Sequence, residues 1–308
     1  MRFHLLGLAH LPQSKTYQSC AFTQKNRKLA KMLVDLGHEV FFYGPEGSDV
    51  LDYVMSSGRV NGKLTFIETH KLVDIAKDYG DGDNRFEIGY DWTTQDFRHD
   101  LSGSERKPST LKVYKECIDY INKVKRPDDF LLCTQGAYHK PIADAVGLFL
   151  QCESGIGYRG WSEPMFHAFE SSYGQNFLYG SHTPFGSATG RYYDRVIPTY
   201  FDLNDYEYGD VKDDYFLFMG RMIKRKGVLT AELATRATGD HLILAGQGAC
   251  VDSSGYLKDN DPQEYQIAPG NWEYVGYADV EKRKKLMSRA KAVFVATEYL
   301  EMFGGVNV

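Results

Sequence analysis

The sequence predicts an α/β fold made of two doubly wound domains, each a mostly parallel sheet with helices on both faces. Short apolar runs of strand length alternate with segments that carry apolar residues at helical spacing. This alternation forms two series, which meet at residues 194–202. The 308 residues also exceed the ~100–200 that one domain typically contains. We therefore expect two domains that face each other across a cleft, with ligands bound beyond the carboxyl ends of the strands.

The first series opens with a strand–helix–strand unit. Residues 3–9 are apolar and predict a buried strand, and residues 22–36 carry their apolar side chains on one helical face. Gly37 ends this helix, and residues 38–44 predict the next strand. Because the connections are short, this βαβ unit implies a parallel sheet with a right-handed crossover.

The same alternation continues to residue 197. Further strands are predicted over 64–67, 130–133 and 148–152, and helices over 110–124 and 141–146. Ser109, after Pro108, is predicted to cap the first of these helices. Residues 79–103 are rich in Asp and Gly and predict a loop or insertion. Residues 166–171 are predicted to form a further helix.

The second series follows residue 198. Strands are predicted over 215–219, 241–245, 272–276 and 292–296, and helices over 227–237 and 280–290. Because each strand ends at the same edge of a parallel sheet, the residues that follow the strands are the candidates for binding and catalysis.

Composition and charge exclude several classes of protein. The chain has 36 Lys and Arg against 41 Asp and Glu, and a net charge of −5 argues against a nucleic-acid partner bound through a broad basic surface. No apolar run approaches the ~18 residues that span a bilayer, so we expect no integral membrane segment, while peripheral membrane contact stays open. The five cysteines lack the spacing of a zinc or redox site, which favours a reduced, cytoplasmic protein.

Two cations flank the connection after the strand at 215–219. Gly220 and Arg221 follow that strand directly, and Lys226 lies just before the next helix. An arginine offers a planar fork to paired phosphate oxygens, a lysine offers a point charge, and a helix N-terminus attracts anions. The stretch predicts a diphosphate site, and the alternative is that residues 224–226 are only a solvated turn.

The end of the chain adds an acidic residue and a pair of glycines after the strand at 292–296. Together with the earlier stretch, this segment resembles the second half of GT-B family-4 glycosyltransferases, retaining enzymes that use nucleotide sugars. The family's order is Gly-Arg, Lys-Gly, a Gly-x-Gly turn and then Glu-x-Phe-Gly. The matching residues are Gly220, Arg221, Lys226, Gly227, Gly246, Gly248, Glu301, Phe303 and Gly304.

This resemblance implies two Rossmann-like domains in the GT-B arrangement, with an acceptor-binding domain over 1–197 and a donor-binding domain over 198–308. It implies that Arg221 and Lys226 clamp the diphosphate of a donor such as a UDP-sugar and that Glu301 contacts the donor sugar. It also implies a reaction without metal or other cofactor. The remaining donor-binding candidates are Gly220, Gly246, Gly248, Phe303, Gly304 and Gly305.

Two further catalytic candidates lie in the first domain. Glu153 follows the strand at 148–152, near where many relatives place a histidine beside the reacting sugar carbon. It is interpreted either as a local acid or base or as a hydrogen-bond partner of sugar hydroxyls. His139 follows the strand at 130–133 and is interpreted either as a sugar-binding or proton-relaying group or as a residue that caps a turn.

The chain ends at Val308, one residue before the family's second glutamate, so the resemblance implies a C-terminally truncated chain with an incomplete donor domain. Three alternatives to a transferase stay open. They are a nucleotide-sugar epimerase of the same fold, a periplasmic-type binding protein with two α/β domains, and a non-catalytic two-domain protein that binds sugars.

Two other motifs are weaker. Asp81-Gly82-Asp83 matches an Asp-x-Asp metal signature, but no apolar strand precedes it, so we expect no metal there. The basic run 282–285 lies on a predicted helix, where a solvated face explains it.

Overall fold

The computed structural model describes residues 1–17, 20–56, 58, 60–79, 107–156, 166–182, 192–260 and 264–307. These residues form two compact units, of which the first extends to Tyr200 and the second begins at Phe201. Each unit is built on its own parallel sheet with helices packed against it.

The first unit contains a seven-stranded parallel sheet in the order β3-β2-β1-β4-β5-β6-β7. Its strands are β1 Arg2–Leu6, β2 Glu39–Gly44, β3 Lys63–Glu68, β4 Phe130–Cys133, β5 Leu150–Ile156, β6 Phe166–Phe169 and β7 Arg195–Val196. The helices are α1 Ala21–Asp35, α2 Val50–Met55, α3 Leu72–Tyr79, α4 Pro108–Val124, α5 Lys140–Val146 and α6 Ser172–His182.

Alternate residues of the central strands bury opposite faces of this sheet. Leu5 and Phe42 pack with α1, whereas Leu6 and Tyr43 pack with α4 and α5. A strand covered on both faces reads as a continuous apolar run, which is why β1 and β2 are recognisable in the sequence. The predicted βαβ unit is confirmed, and β1, β2 and β4 lie side by side and parallel.

In the first unit, the predictions for Ser109, for residues 148–152 and for residues 166–171 are wrong. Ser109 does not cap α4, because Lys107 is the N-cap and the Ser109 N–H donates to Asp78 Oδ2 at 2.6 Å. The strand at 148–152 is shifted, since β5 runs from Leu150 to Ile156. Residues 166–171 do not form a helix, because 166–169 pair with β5 as strand β6 and α6 begins at Ser172.

The second unit contains a four-stranded parallel sheet in the order β13-β9-β8-β14 and a separate three-stranded antiparallel sheet, β10-β11-β12. Its strands are β8 Phe216–Met219, β9 Leu242–Ala245, β10 Ala249–Val251, β11 Leu257–Asp259, β12 Gln266–Ile267, β13 Trp272–Tyr274 and β14 Ala292–Phe294. The helices α7 Val228–Thr238 and α8 Val280–Arg289 cover opposite faces of the parallel sheet.

The four strands and two helices predicted after residue 198 are confirmed, with ends that differ by one or two residues. The small antiparallel sheet was not predicted, because strands of two or three residues carry no readable period. The Asp81-Gly82-Asp83 motif and the predicted loop beyond Tyr79 lie outside the described residues.

Over the described part of the chain, none of the helices combines the length and the apolar character that crossing a membrane requires.

Candidate functional site

Two turns lie against each other at the carboxyl edge of the second sheet, one after β8 and one after β9. The Gly220 N–H donates to the carbonyl of Ala245 at 3.0 Å. A Cβ atom at Gly246 would lie 1.6 Å from the Gly220 carbonyl oxygen, so only glycine permits this approach. The N–H of Met222, the residue after Arg221, donates to the carbonyl of Gln247 at 2.8 Å. Backbone hydrogen bonds on both sides therefore fix the position of the Arg221 backbone, from which its side chain extends.

The connection from β8 to α7 packs on the segment that follows β14. A 3-10 turn, Lys224–Lys226, leads into Gly227, whose φ of +82° lies in the left-handed region. A Cβ atom at Gly227 would lie 1.8 Å from the carbonyl oxygen of Ala296. The Glu298 N–H also donates to the Arg225 carbonyl at 2.8 Å. The cationic turn and the acidic end of the chain are thus joined through their backbones.

This junction brings Lys226 and Glu301 together. Lys226 Nζ lies 2.5 Å from Glu301 Oε2, and the Tyr299 hydroxyl donates to the same oxygen at 2.6 Å. The two charged side chains are 22% and 23% exposed, so solvent screens their attraction less than on an open surface, yet a ligand can reach both. The site therefore offers an ammonium and a carboxylate side by side at the sheet edge.

The electrostatics favour an ionised Glu301. Burial alone would raise the pKa of this carboxyl group, but hydrogen bonds from Lys226 and Tyr299 and the positive charges of Lys226 and Arg221 outweigh burial and lower the pKa. Burial, followed by the hydrogen bond to Glu301, raises the pKa of Tyr299, so its phenol keeps the proton that it donates. Arg221, which follows β8 at the same sheet edge, makes the smallest of these contributions to the pKa of Glu301.

Comparison with known proteins finds similar structures but no matching sequence family. No family model matches the sequence, and no curated protein matches it. TarM matches with a TM-score of 0.57 at 9% identity, over 99% of this chain and 82% of TarM. Alr3699/HepE of Anabaena, solved in complex with UDP and glucose, matches with a TM-score of 0.52 at 12% identity, over 99% of this chain and 77% of its own.

A third solved structure, OtsA without ligand, matches with a TM-score of 0.52 at 10% identity, over 98% of this chain and 79% of OtsA. These neighbours are GT-B glycosyltransferases. The chain has the GT-B fold. At 9–12% identity, the similarity to these structures establishes the fold alone.

Within this GT-B chain, the remaining residues predicted to bind the donor lie at the same sheet edge or in the segment that ends the chain. Gly248 adopts a φ of +96° in the turn after β9. Phe303 packs on Phe201 with ring centroids 5.8 Å apart, which anchors the segment that carries Glu301. Gly304 is buried and Gly305 is exposed. The segment is therefore held by an aromatic contact beside the ion pair.

The structure places Glu153 inside the sheet of the first unit. It belongs to β5 rather than to a following turn, it pairs with Cys133 of β4 and His167 of β6, and it has no exposed surface. The predicted turn at this position is wrong, because the strand continues past the charged residue. In this conformation the carboxyl group is closed to a substrate.

His139 joins two turns of the first unit. The Thr134 N–H donates to His139 Nδ1 at 3.1 Å, and Nε2 donates to the Gly7 carbonyl at 3.0 Å. The side chain is 2% exposed, and burial lowers its pKa to about 4. Both ring nitrogens are engaged by backbone groups, so the geometry favours a structural role over proton relay.

Tyr299 contacts both members of the ion pair, although no sequence motif predicts it as a site residue. Its ring centroid lies 4.9 Å from Lys226 Nζ, and its hydroxyl bonds Glu301. The only local signal is an aromatic residue two positions before the acidic one. Because 22 tyrosines are scattered through the chain, that signal carries little information without the fold.

Proposed function

We propose that this chain is a retaining glycosyltransferase that moves a glycosyl unit from a nucleoside-diphosphate sugar to an acceptor hydroxyl. The observation that carries the proposal is the Lys226–Glu301 pair at the carboxyl edge of a parallel sheet, with Arg221 following the strand β8 of that sheet. Ligands of open parallel sheets bind at this edge. The GT-B fold and the ordered family-4 motifs support the same reaction and its retention of configuration.

The chemistry of the cluster suits a diphosphate leaving group. As the bond between the anomeric carbon and the phosphate oxygen breaks, negative charge grows on the departing nucleoside diphosphate. Arg221 and Lys226 would offset that charge, together with the N-terminus of α7, which begins two residues after Lys226. In this proposal, these groups would supply the electrostatic stabilisation in place of a metal ion. Glu301 would then accept hydrogen bonds from hydroxyl groups of the donor sugar.

The two units would divide the substrates between them. The second unit carries the charged cluster and would bind the donor, and the first unit would bind the acceptor. Because Alr3699/HepE was solved with UDP and glucose, UDP-sugars are the first donors to examine. The five cysteines are all free, which supports a reducing compartment such as the cytoplasm.

A product assay tests the proposal. Incubation with UDP-sugars and GDP-sugars, with and without a panel of hydroxyl acceptors, should release nucleoside diphosphate and form a glycoside only when an acceptor is present. Free epimerised sugar formed without an acceptor would indicate an epimerase instead. Calorimetric binding of the donor without any product would indicate a sugar-binding protein.

A further inference from the structure

We propose that Tyr299 is a positioning residue of the donor site. Its hydroxyl holds the Glu301 carboxylate in place when the diphosphate binds Lys226. This inference rests on the proposed function and names a residue that neither the motif nor the fold assigns. It is carried by the three contacts that the Tyr299 side chain makes with charged groups of the cluster.

The phenol and the ammonium share one oxygen atom. Glu301 Oε2 accepts from Lys226 Nζ at 2.5 Å and from the Tyr299 hydroxyl at 2.6 Å. A carboxylate oxygen can accept both bonds, since each oxygen has two lone-pair directions. Glu301 is therefore held by a neutral donor and by a cation at the same time.

The ring of Tyr299 is also a platform for the cations. Lys226 Nζ lies 4.9 Å and Arg225 Cζ lies 5.4 Å from the ring centroid, both within the range of cation–π attraction. The Glu298 N–H bond to the Arg225 carbonyl fixes the backbone one residue before Tyr299. The ring is thus placed by the same junction that aligns the cationic turn.

Donor binding would separate the functions of these contacts. A diphosphate brings several anionic oxygens to Lys226 and competes with Glu301 for the ammonium. Once that bond weakens, the Tyr299 hydroxyl still holds Glu301 toward the sugar. Because the phenol is neutral, the diphosphate attracts it less strongly than it would attract a further cation. The Tyr299 hydroxyl therefore stays bonded to Glu301. Loss of the hydroxyl should therefore weaken sugar positioning and leave diphosphate binding nearly intact.

The test compares Tyr299→Phe with Tyr215→Phe. The first variant keeps the ring and removes the hydroxyl that bonds Glu301. The second removes a hydroxyl that donates to the Leu286 carbonyl at 2.8 Å, away from the cluster, and so matches the loss of one partly buried hydrogen bond. NMR titration of the Glu301 side-chain carboxyl carbon, assigned with Glu301→Gln, is measured in wild type and both variants, and affinity for UDP is measured by calorimetry.

We expect the Glu301 titration to move to higher pH in Tyr299→Phe alone, with UDP affinity within about twofold of wild type and sugar transfer about tenfold slower. An unmoved Glu301 titration, or equal movement in both variants, would overturn the role of Tyr299. The titration needs no substrate. If no donor is turned over by wild type while the titration still moves, the proposed function fails and the hold of Tyr299 on Glu301 stands.

Discussion

Gly227 and Ala296 are in direct backbone contact, and their approach aligns the cationic turn with the acidic segment of the second unit. A Cβ atom at Gly227 would lie 1.8 Å from the Ala296 carbonyl oxygen and 2.4 Å from its carbonyl carbon. The contact lies beside Lys226 and five residues before Glu301. The charged cluster therefore depends on a glycine that contributes no functional group.

Gly227→Ala should separate the two segments and destabilise the second unit. The variant strains a φ of +82° and forces the Ala296 backbone to move. We expect a loss of about 1–2 kcal/mol from the left-handed backbone and about 1–3 kcal/mol more from the clash. Urea unfolding measures the total loss in the free energy of unfolding, and calorimetry with UDP measures the damage to the site.

Gly239→Ala is the matched control for that variant. Gly239 follows the other end of α7 with a φ of +79°, and nothing lies within 4 Å of a Cβ atom there. Gly239→Ala introduces the backbone strain without the clash. Its loss in the free energy of unfolding should therefore be smaller than that of Gly227→Ala, and UDP affinity should be unchanged. Equal costs for the two glycines would show that the Ala296 contact is unimportant.

Arg221→Ala should slow sugar transfer far more than it weakens folding. If the guanidinium stabilises the departing diphosphate, its loss costs about 3–4 kcal/mol in the transition state, or 10²–10³ in rate. Steady-state turnover with the best donor gives the measurement, and Lys285→Ala, on the exposed side of α8, provides a control that removes one cation elsewhere. Turnover like that of wild type in Arg221→Ala would remove this residue from the proposed clamp.

The Lys226–Glu301 pair should show energetic coupling. Lys226→Met, Glu301→Gln and the double variant form a cycle, and we expect a coupling of about 1–3 kcal/mol, since the pair is three-quarters buried and shares the Tyr299 hydrogen bond. The pKa of Glu301 in the folded protein is lower than its ordinary value of 4.5. The stabilisation from the ionised carboxylate is therefore fully present above pH 4.5 and is lost as the pH falls through the folded pKa. Urea unfolding from pH 7 to pH 3 tests both statements.

A control for the cycle is available on the surface of α4. Lys115 and Asp119 are also 2.5 Å apart, but their side chains are 71% and 59% exposed. The same cycle there should give a smaller coupling that salt abolishes more completely. Equal coupling at the two sites would mean that burial and Tyr299 add nothing to the pair at Lys226.

The parts of the fold that could be predicted from the sequence are those whose burial is visible locally. β2 is covered on both faces and therefore reads as an uninterrupted apolar run, and α1 shows a helical period over fifteen residues. β5 was misplaced because the apolar run ends at a charged residue. Glu153 nevertheless continues the strand, since its neighbours in β4 and β6 pair with it and lie far away in sequence.

Short segments with mixed character could not be assigned. Residues 166–171 fit a helix as well as a strand over so few positions, and pairing with β5 decides the outcome for β6. The candidate site likewise contains residues that the sequence predicts and one that only the fold reveals. Arg221, Lys226 and Glu301 follow motif spacing, whereas Tyr299 depends on contacts across 73 residues, between the turn before α7 and the end of the chain.

His139 provides a pH-dependent prediction that separates a structural from a catalytic role. Its pKa is lowered to about 4 from the ordinary 6.5 because the ring is buried, so the unfolded chain takes up a proton that the folded one refuses. The associated stability is present above pH 6.5 and is lost as pH falls toward 4, by about 3 kcal/mol in total. His139→Gln should make this part of the stability profile less steep, as measured by urea unfolding of both proteins. The remaining slope comes in part from His4 and His70, whose pKa values burial also lowers. The pH profile of sugar transfer should keep its shape in the variant, because both ring nitrogens bond backbone groups in the native protein. A profile that loses a limb on substitution would instead make His139 a proton-transfer group.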